Sequence, residues 1–193
     1  MKNSVRQYGQ LEEIRKDHVN RYNFAANLIP KQSRVLDAAC GCGYGSRIIH
    51  DSGSKVVGVD IDVSAIEYAE ANYAGPGYIV GSVLEPPWVG TFDAIVSFET
   101  IEHISDPMRA LKHFRDSVDG LFICSVPNEK VHPFVAENYE LDDYPHLRHY
   151  TSREFDAILE SADFKILDRL CQKGKKSDVE QGVDGMFLVY VCK

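Results

Sequence analysis

The stretch Arg34-Val35-Leu36-Asp37-Ala38-Ala39-Cys40-Gly41-Cys42-Gly43-Tyr44-Gly45 decides the fold of this 193-residue chain. It begins as the apolar, β-branched run of a buried strand, and the glycines that follow predict a tight turn into a helix. Such a turn lets the backbone approach a ligand closely. The helix beyond it offers unpaired N–H groups to a negatively charged part of that ligand. The stretch therefore predicts a strand–turn–helix unit that binds a ligand.

Further apolar runs have the composition of strands that are buried on both faces of a parallel sheet. These strand-like runs lie at residues 55–60, 78–80, 92–98 and 121–126. Amphipathic helices are predicted at residues 11–29, 64–73, 107–118 and 152–162. Capping patterns support three of these helices, since Ser64 and Thr151 each precede a glutamate by three residues and Asp106 precedes Pro107. The alternation of strand and helix predicts a Rossmann-like, doubly wound α/β fold.

The last part of the chain has a different pattern. Residues 164–171 and 186–192 are two strand-like runs, and a polar loop at 172–184 joins them. Such strands should pair antiparallel, so we predict a mostly parallel seven-stranded sheet with an antiparallel last strand. We predict a single domain over residues 1–193, with an N-terminal helical cap at 1–30 and a substrate-side insertion at 128–150.

Composition excludes several classes of partner. The formal net charge of −8 argues against binding to nucleic acid or to an anionic membrane, and 44% hydrophobic residues are typical of a globular protein. No apolar run approaches the roughly 18 residues of a membrane helix. The five cysteines form no CxxC pair, so we predict no metal site and a cytoplasmic location. The sequence does not determine the oligomeric state, and a homodimer is one alternative.

The carboxyl end of the second strand carries an acidic residue that suits a nucleoside. Asp60 can accept hydrogen bonds from both hydroxyl groups of a ribose, as in adenosine-containing cofactors. Asp60 or Asp62 could instead cap the helix that follows, and we assign the cap to Asp62. The glycine spacing differs from the dinucleotide-binding fingerprint, because Ser46 stands where that fingerprint has its third glycine.

Two more segments follow predicted strands at the same edge of the sheet. Ser82 and Val83 follow the third strand, where Ser82 can bind the exocyclic amine of an adenine and Val83 can pack on its ring. The segment from Phe98 to His103 follows the fourth strand, at the cleft where the strand order reverses. These positions complete a predicted nucleoside site with a reaction centre beside it.

The combined motifs resemble class I S-adenosylmethionine-dependent methyltransferases, in the ubiquinone-biosynthesis-like (type 11) branch. Residues 35–43 are similar to the first motif of that family, 58–61 to the second, and 92–104 to the fourth. A narrower resemblance, to methyltransferases of bacterial glycan clusters, rests on residues 18–25, 97–103 and 144–151. The family implies S-adenosylmethionine as cofactor, S-adenosylhomocysteine as product, and a small molecule or a sugar as methyl acceptor.

The resemblance also implies which residues hold the cofactor. The amino-acid end would lie against Asp37 and the turn, the ribose against Asp60, and the adenine against Ile61, with Phe98 at the adjoining cleft. Two positions depart from the family, because Ala39 replaces a usual glycine and Ser82 replaces a frequent aspartate. The full predicted set is Asp37, Ala39, Cys40, Gly41, Gly43, Asp60, Ile61, Ser82, Val83 and Phe98.

Methyl transfer needs an aligned acceptor and a group that takes its proton. His103 is the first candidate for this general base, because an imidazole changes its charge near neutral pH. Glu99 and Glu102 are the other predicted catalytic residues, and Glu99 with His103 could together hold a proton or a divalent cation. The alternative bases His132, His146 and His149 lie in the predicted insertion.

Other functions remain open at this point. A domain that binds the cofactor without turnover would keep Asp37, Gly41, Gly43 and Asp60. A nicotinamide-dependent oxidoreductase is disfavoured by the missing third glycine and by the reversed last strand. The sequence therefore predicts O-methylation of a small molecule or sugar, with N-methylation as the less favoured chemistry.

Overall fold

A single mixed sheet of eight strands organises the computed structural model, which describes residues 13–140 and 143–193. The helices are α1 (Lys16–Leu28), α2 (Tyr44–Asp51), α3 (Val63–Asn72), α4 (Pro107–Ser117) and α5 (Ser152–Ser161). The strands are β1 (Arg34–Ala38), β2 (Lys55–Asp60), β3 (Gly77–Val80), β4 (Phe92–Phe98), β5 (Val118–Pro127), β6 (Ile166–Gln172), β7 (Glu180–Gln181) and β8 (Phe187–Cys192). Short 3₁₀ helices lie at Ile101–His103 and Ala136–Asn138.

The strand order is β3-β2-β1-β4-β5-β8-β6-β7. The first five strands are parallel, whereas β8 runs antiparallel to both β5 and β6. The chain returns to the middle of the sheet between β3 and β4, so the strand order reverses between β1 and β4. In sheets of this type a cleft opens at that point, outside the carboxyl ends of the strands.

Two hydrophobic cores lie on opposite faces of the sheet, because successive side chains of a strand alternate between its faces. Val35 packs in a core with helices α1 and α2, whereas its neighbour Leu36 packs in a core with α4 and α5. The same alternation holds in β5, where Phe122 and Ile123 belong to different cores. The predicted doubly wound architecture is therefore confirmed.

Most predicted elements are confirmed, with corrections at their edges. The sheet has eight strands rather than seven, because the polar 172–184 loop contributes the two-residue strand β7, which pairs with Leu170 and Cys171. Strand β5 begins at Val118, directly after α4, and not at residue 121. Ser64 lies inside α3, whose N-cap is Asp62, so the capping box predicted at Ser64 is wrong. The caps at Asp106 and Thr151 are confirmed.

The termini of the predicted insertion are held together. Asn128 and Tyr150 form an isolated parallel bridge, and the Tyr150 N–H donates to the carbonyl of Pro127. The segment between them lies after β5, at the carboxyl end of the sheet.

Residues 1–12 of the predicted N-terminal cap are outside the described residues, and α1 begins at Lys16. Within the described ranges, every helix is too short or too polar to cross a bilayer.

The packing of α1 against α2 depends on a glycine. A Cβ atom at Gly45 would lie 2.0 Å from Cζ of Tyr22, whose ring is only 5% exposed and whose hydroxyl is bonded to Asp37. The ring cannot move aside without losing that bond. An alanine would gain about 1 kcal/mol in helix propensity, but overpacking of this kind costs about 1–3 kcal/mol.

We therefore expect Gly45→Ala to lower the free energy of unfolding, by up to about 2 kcal/mol, as measured by urea denaturation. Gly77→Ala is the matched control, since no atom lies within 4 Å of the added Cβ there. A Gly45→Ala protein as stable as the control would contradict this account of the helix contact.

Candidate functional site

A cavity of about 620 Å³ lies at the carboxyl ends of the parallel strands. Its walls come from the turn after β1, the end of β2, the segments that follow β3 and β4, and the insertion after β5. Small-molecule sites typically have volumes of about 300–1,000 Å³. The cavity is therefore large enough for a cofactor and lies where the strand order predicted it.

The turn after β1 exposes its backbone to the cavity. Ala39, Gly41 and Gly43 all have left-handed backbone angles, with φ of 63°, 55° and 86°. Ala39, Cys40 and Gly41 line the cavity. Gly43 does not line it and packs on the other side, where an added Cβ would lie 2.5 Å from the Cβ of Ala69. Gly43 therefore serves the packing of the turn against α3.

The carboxylate of Asp60 connects the turn to the end of β2. Its Oδ2 accepts a hydrogen bond from the Gly41 N–H at 2.8 Å, and its Oδ1 accepts one from the Asp62 N–H at 2.9 Å. Asp60 is buried and lines the cavity. The Asp62 side chain accepts from the N–H groups of Ser64 and Ala65, so its predicted role as helix cap is confirmed. These bonds fix the Asp60 carboxylate at the cavity wall.

Apolar surface lies beside this carboxylate. Ile61 lines the cavity with a large aliphatic side chain that is 54% exposed. Ser82, Val83 and Phe98 line the cavity as well. The Ser82 Oγ accepts a hydrogen bond from the Leu84 N–H at 3.1 Å. The structure thus brings together the predicted adenine, ribose and turn residues along one wall.

Asp37 lies away from the cavity, contrary to its predicted place beside the ligand. It is fully buried behind the turn, where Oδ1 accepts from the Tyr22 hydroxyl at 3.0 Å and Oδ2 accepts from the Ser46 hydroxyl at 2.6 Å. Burial raises the pKa of this carboxyl group to about 7. Its position shows that Asp37 links β1 to α1 and α2.

The sequence analysis missed Arg21, a buried cation in the cavity wall. Its Nη1 donates to Glu99 Oε1 at 2.9 Å and to Ser125 Oγ at 2.8 Å, and its Nε donates to Gln172 Oε1 at 2.7 Å. Nη2 is 3.8 Å from Asp17 Oδ2 and makes no hydrogen bond within residues 13–140 and 143–193. An arginine within the apolar stripe of the predicted first helix was the available signal.

Glu99 and Glu102 have different surroundings. Glu99 lines the cavity, and its Oε1 also accepts from the Ser125 hydroxyl at 2.7 Å. Glu102 is fully buried off the cavity wall, and neither of its carboxylate oxygens has a hydrogen-bond partner in the described part of the chain. Burial, together with the charge of Glu99, raises the pKa of Glu102 well above its usual range, which favours the uncharged form of this side chain.

His103 lines the cavity next to Glu102. Its Nδ1 is 3.1 Å from the carbonyl oxygen of Pro145. A carbonyl can only accept, so Nδ1 carries the proton and Nε2 is the basic nitrogen. Nε2 lies 4.0 Å from Glu102 Oε1, and the His146 ring packs against His103 with centroids 4.5 Å apart.

The predicted alternative bases form one cluster with His103. The Nδ1–H of His149 donates to the carbonyl of His132 at 2.6 Å, which leaves Nε2 of His149 to accept from Nδ1–H of His146 at 2.9 Å. The Tyr139 ring stacks on His146 at 4.1 Å. Burial and the neighbouring imidazoles lower the pKa of His146 to about 3, and burial lowers the pKa of His149. Both imidazoles are therefore neutral at pH 7.

A possible ligand set for a metal also arises here, although the sequence analysis assigned none. Glu102, His103 and His146 each offer one donor atom, and these atoms lie within 4.8 Å of one another. His146 comes from the insertion, 43 residues beyond His103 in the chain, so spacing along the sequence gave no sign of the group.

Comparisons with known proteins agree with this geometry. A family described as a methyltransferase domain matches residues 10–169. A probable S-adenosylmethionine-dependent methyltransferase of Mycolicibacterium smegmatis is 31% identical over 139 residues, which are 70% of this chain and 53% of that protein. A ubiquinone biosynthesis O-methyltransferase of Xanthomonas axonopodis pv. citri is 31% identical over 108 residues, 53% of this chain and 43% of that protein. The chain spans about half the length of these curated relatives.

Solved structures share the fold. The CcbJ methyltransferase of Streptomyces caelestis superposes with a TM-score of 0.77 at 13% sequence identity, over 97% of this chain and 99% of that one. At this identity the likeness concerns the fold alone.

The buried position of Asp37 makes stability depend on pH. Its pKa is about 7 in the folded protein, whereas a solvated aspartate has a pKa of 3.8, so the folded state binds more protons between about pH 4 and pH 7. Stability therefore falls as the pH rises through this window. The Asp37→Asn variant keeps a side-chain oxygen that accepts from the Tyr22 hydroxyl and places an amide nitrogen beside Ser46, but its side chain does not titrate.

We expect wild-type protein to lose about 2 kcal/mol of unfolding free energy relative to Asp37→Asn between pH 5 and pH 8. Urea denaturation at four pH values measures this difference. Parallel pH profiles of the two proteins would show that Asp37 does not titrate in this range.

Proposed function

The chain belongs to the methyltransferase domain family, and from this premise we propose that it transfers the methyl group of S-adenosylmethionine to an oxygen atom of a small molecule or sugar. S-adenosylmethionine is the cofactor that this family membership implies. One observation carries the proposal: a single cavity joins the glycine turn and Asp60 at one end to His103 and its neighbours at the other. A cofactor and an acceptor can therefore meet inside it.

The residues present fit each part of the cofactor. The Asp60 carboxylate can accept from ribose hydroxyls, and the exposed aliphatic surface of Ile61 suits an adenine ring. Arg21 suits the carboxylate of the amino-acid end, because its Nη2 is buried without a hydrogen-bond partner in the described residues. An unsatisfied buried donor is costly, and a carboxylate would satisfy it.

Methyl transfer to a hydroxyl group has two requirements that the protein must meet. The bound cofactor supplies an electrophilic methyl group and leaves as a neutral thioether. The chain must align the acceptor and remove its hydroxyl proton, because an alcohol is a weak nucleophile. We assign the proton to Nε2 of His103, because Nδ1–H donates to the Pro145 carbonyl and Nε2 is then the acceptor nitrogen of the neutral imidazole.

The neighbours of His103 suit this role. Burial raises the pKa of Glu102 and so disfavours a negative charge that would hold a proton on His103 before the acceptor binds. His146 is neutral and packs against the ring of His103. Glu99 is held by Arg21 and Ser125, which makes it a positioning residue in this proposal.

Oxygen is the acceptor atom that two observations support. A base beside the acceptor is needed for a hydroxyl group, whereas a neutral amine can attack without one. The Xanthomonas relative is named an O-methyltransferase. The resemblance of residues 18–25 and 144–151 to glycan-cluster enzymes supports a sugar as acceptor.

The cofactor assignment predicts the effect of removing one carboxylate. Asp60→Ala should weaken binding of S-adenosylhomocysteine by about 5- to 150-fold, the scale of about 1–3 kcal/mol for a lost buried hydrogen-bond partner. Isothermal titration calorimetry measures this affinity. The control is Asp62→Ala, which removes a helix cap outside the cavity and should leave the affinity within about twofold. Equal affinities for wild type and Asp60→Ala, or binding of NAD in place of S-adenosylhomocysteine, would contradict the assignment.

The base assignment predicts a split between turnover and binding. His103→Ala should lower kcat at least about 100-fold while the affinity for S-adenosylhomocysteine changes by less than about threefold. Radiolabelled methyl transfer to the best acceptor from a screen of sugars and phenols measures the turnover. His113→Ala, a substitution on α4 outside the cavity, is the control.

Two results would overturn this role. An equal loss of turnover and affinity would make His103 a structural residue. Loss of wild-type activity in EDTA, with recovery on added divalent metal, would assign Glu102, His103 and His146 to metal binding instead.

A further inference from the structure

We propose that the methyl acceptor carries an anionic group, a carboxylate or a phosphate, and that Lys175 binds it at the exposed edge of the cavity. The inference rests on the proposed function, because it concerns the acceptor that would share this cavity with the cofactor. Lys175 lies in the loop between β6 and β7, and its side chain lines the cavity.

The backbone around Lys175 is held in place. The Ser177 N–H donates to the carbonyl of Gly174 at 3.0 Å, and the Ser177 hydroxyl accepts from the Gly174 N–H at 2.9 Å. The carbonyl of Ser177 accepts from the side-chain amides of Asn20 at 3.2 Å and Gln172 at 2.9 Å. Lys175 therefore lies in a tight turn that is bonded to α1 and to β6, which fixes where its flexible side chain begins.

The other cations of the cavity already have carboxylate partners. Arg15 donates to Asp17, and Arg21 donates to Glu99. Lys175 forms no ion pair with any described residue, whereas Lys173, two residues earlier, is paired with Glu180 at 3.3 Å and Asp184 at 2.8 Å. Arg21 Nη2 is assigned to the cofactor carboxylate, so Lys175 is the lysine or arginine of the described cavity wall that is left to pair with an anion of the acceptor.

The net charge of the protein increases the importance of Lys175 for binding an anion. A formal net charge of −8 repels an anionic acceptor, so a local cation is needed to bind one. Two histidines of the cavity wall, His18 and His146, do not supply that charge, because burial lowers their pKa values to about 2 and about 3.

Other residues of the cavity wall suit a ring. Tyr139, Tyr144, Met186 and Phe187 line it with aromatic and apolar surface, and Tyr144 is 39% exposed. Flat apolar surfaces of this kind pack on the face of a sugar or a planar ring, while a few polar groups fix its orientation. We therefore assign the acceptor to the acidic sugars and related ring compounds with one anionic substituent.

Calorimetry with three related probes tests this assignment. The full chain, saturated with S-adenosylhomocysteine, is titrated with glucose, glucuronic acid and glucose 1-phosphate. At least one anionic probe should bind about tenfold more tightly than glucose, and the stronger of the two distinguishes a carboxylate from a phosphate. Lys175→Ala should abolish that preference, a loss of about tenfold, or about 1.4 kcal/mol. Added salt should weaken the preference in the wild type, as expected for an exposed charge pair.

Two variants separate a specific contact from general charge effects. Lys175→Arg should keep the preference within about threefold, because it keeps the charge. Lys176→Ala should match the wild type, since this neighbouring exposed lysine does not line the cavity. Glucose binding as tightly as the anions, no binding of any probe, or equal losses in the Lys175→Ala and Lys176→Ala proteins would overturn the proposal.

The titration with S-adenosylhomocysteine comes first and separates the two proposals. A protein that binds S-adenosylhomocysteine but shows no preference for anions contradicts only the role of Lys175. A protein that does not bind S-adenosylhomocysteine contradicts the proposed function, and with it the acceptor assigned here.

Discussion

The buried guanidinium of Arg21 is the interaction on which the geometry of the cavity depends. It joins α1 to the end of β4 through Glu99, to β5 through Ser125 and to β6 through Gln172. Breaking a buried ion pair by removing one partner typically costs about 3–5 kcal/mol, because the other charge is left unpaired. The parallel and antiparallel parts of the sheet are thus tied together at the edge where the cavity lies. A helix that precedes the first strand thereby becomes part of the cavity wall.

This ion pair also sets the conformation of the segment after β4. Glu99 has a left-handed backbone with φ of 49°, which is uncommon for a residue with a side chain, and its N–H donates to the Ser125 carbonyl. The chain then enters the 3₁₀ turn at Ile101–His103, which directs Glu102 into the interior and His103 to the cavity. The placement of the proposed base therefore depends on a contact with a helix far away in the sequence.

Sequence reasoning succeeded where the signal was local. Strands β2 and β4 have the predicted limits, because each is a short apolar run that glycine or polar residues bound on both sides. The division of roles at the end of β2 was also predictable, since a helix cap needs an acceptor just before the first turn, where Asp62 stands. Most of the predicted cofactor residues line one cavity for the same reason: parallel strands end at a common edge.

The failures concern side chains whose partners are distant in the chain. The hydrogen-bonded partners Glu99, Ser125 and Gln172 lie 78, 104 and 151 residues beyond Arg21, so no spacing rule could indicate that it is buried. Asp37 follows the family motif, but the direction of its carboxylate is set by Tyr22 on α1 and Ser46 on α2. The cluster of His103 with His146 and His149 depends on the path of the insertion, which carries no helical or strand period that a sequence could reveal.

Three energetically costly positions line or adjoin the cavity, and stability alone does not explain them. Ala39 and Glu99 hold left-handed backbone angles, each at a cost of about 1–3 kcal/mol. Glu102 is fully buried without a hydrogen-bond partner in the described residues, which costs a similar amount. A glycine at position 39 and an apolar residue at 102 would relieve these costs without disturbing the two cores. Because all three residues line or adjoin one cavity, the costs argue that this edge of the sheet is shaped for binding and reaction rather than for folding.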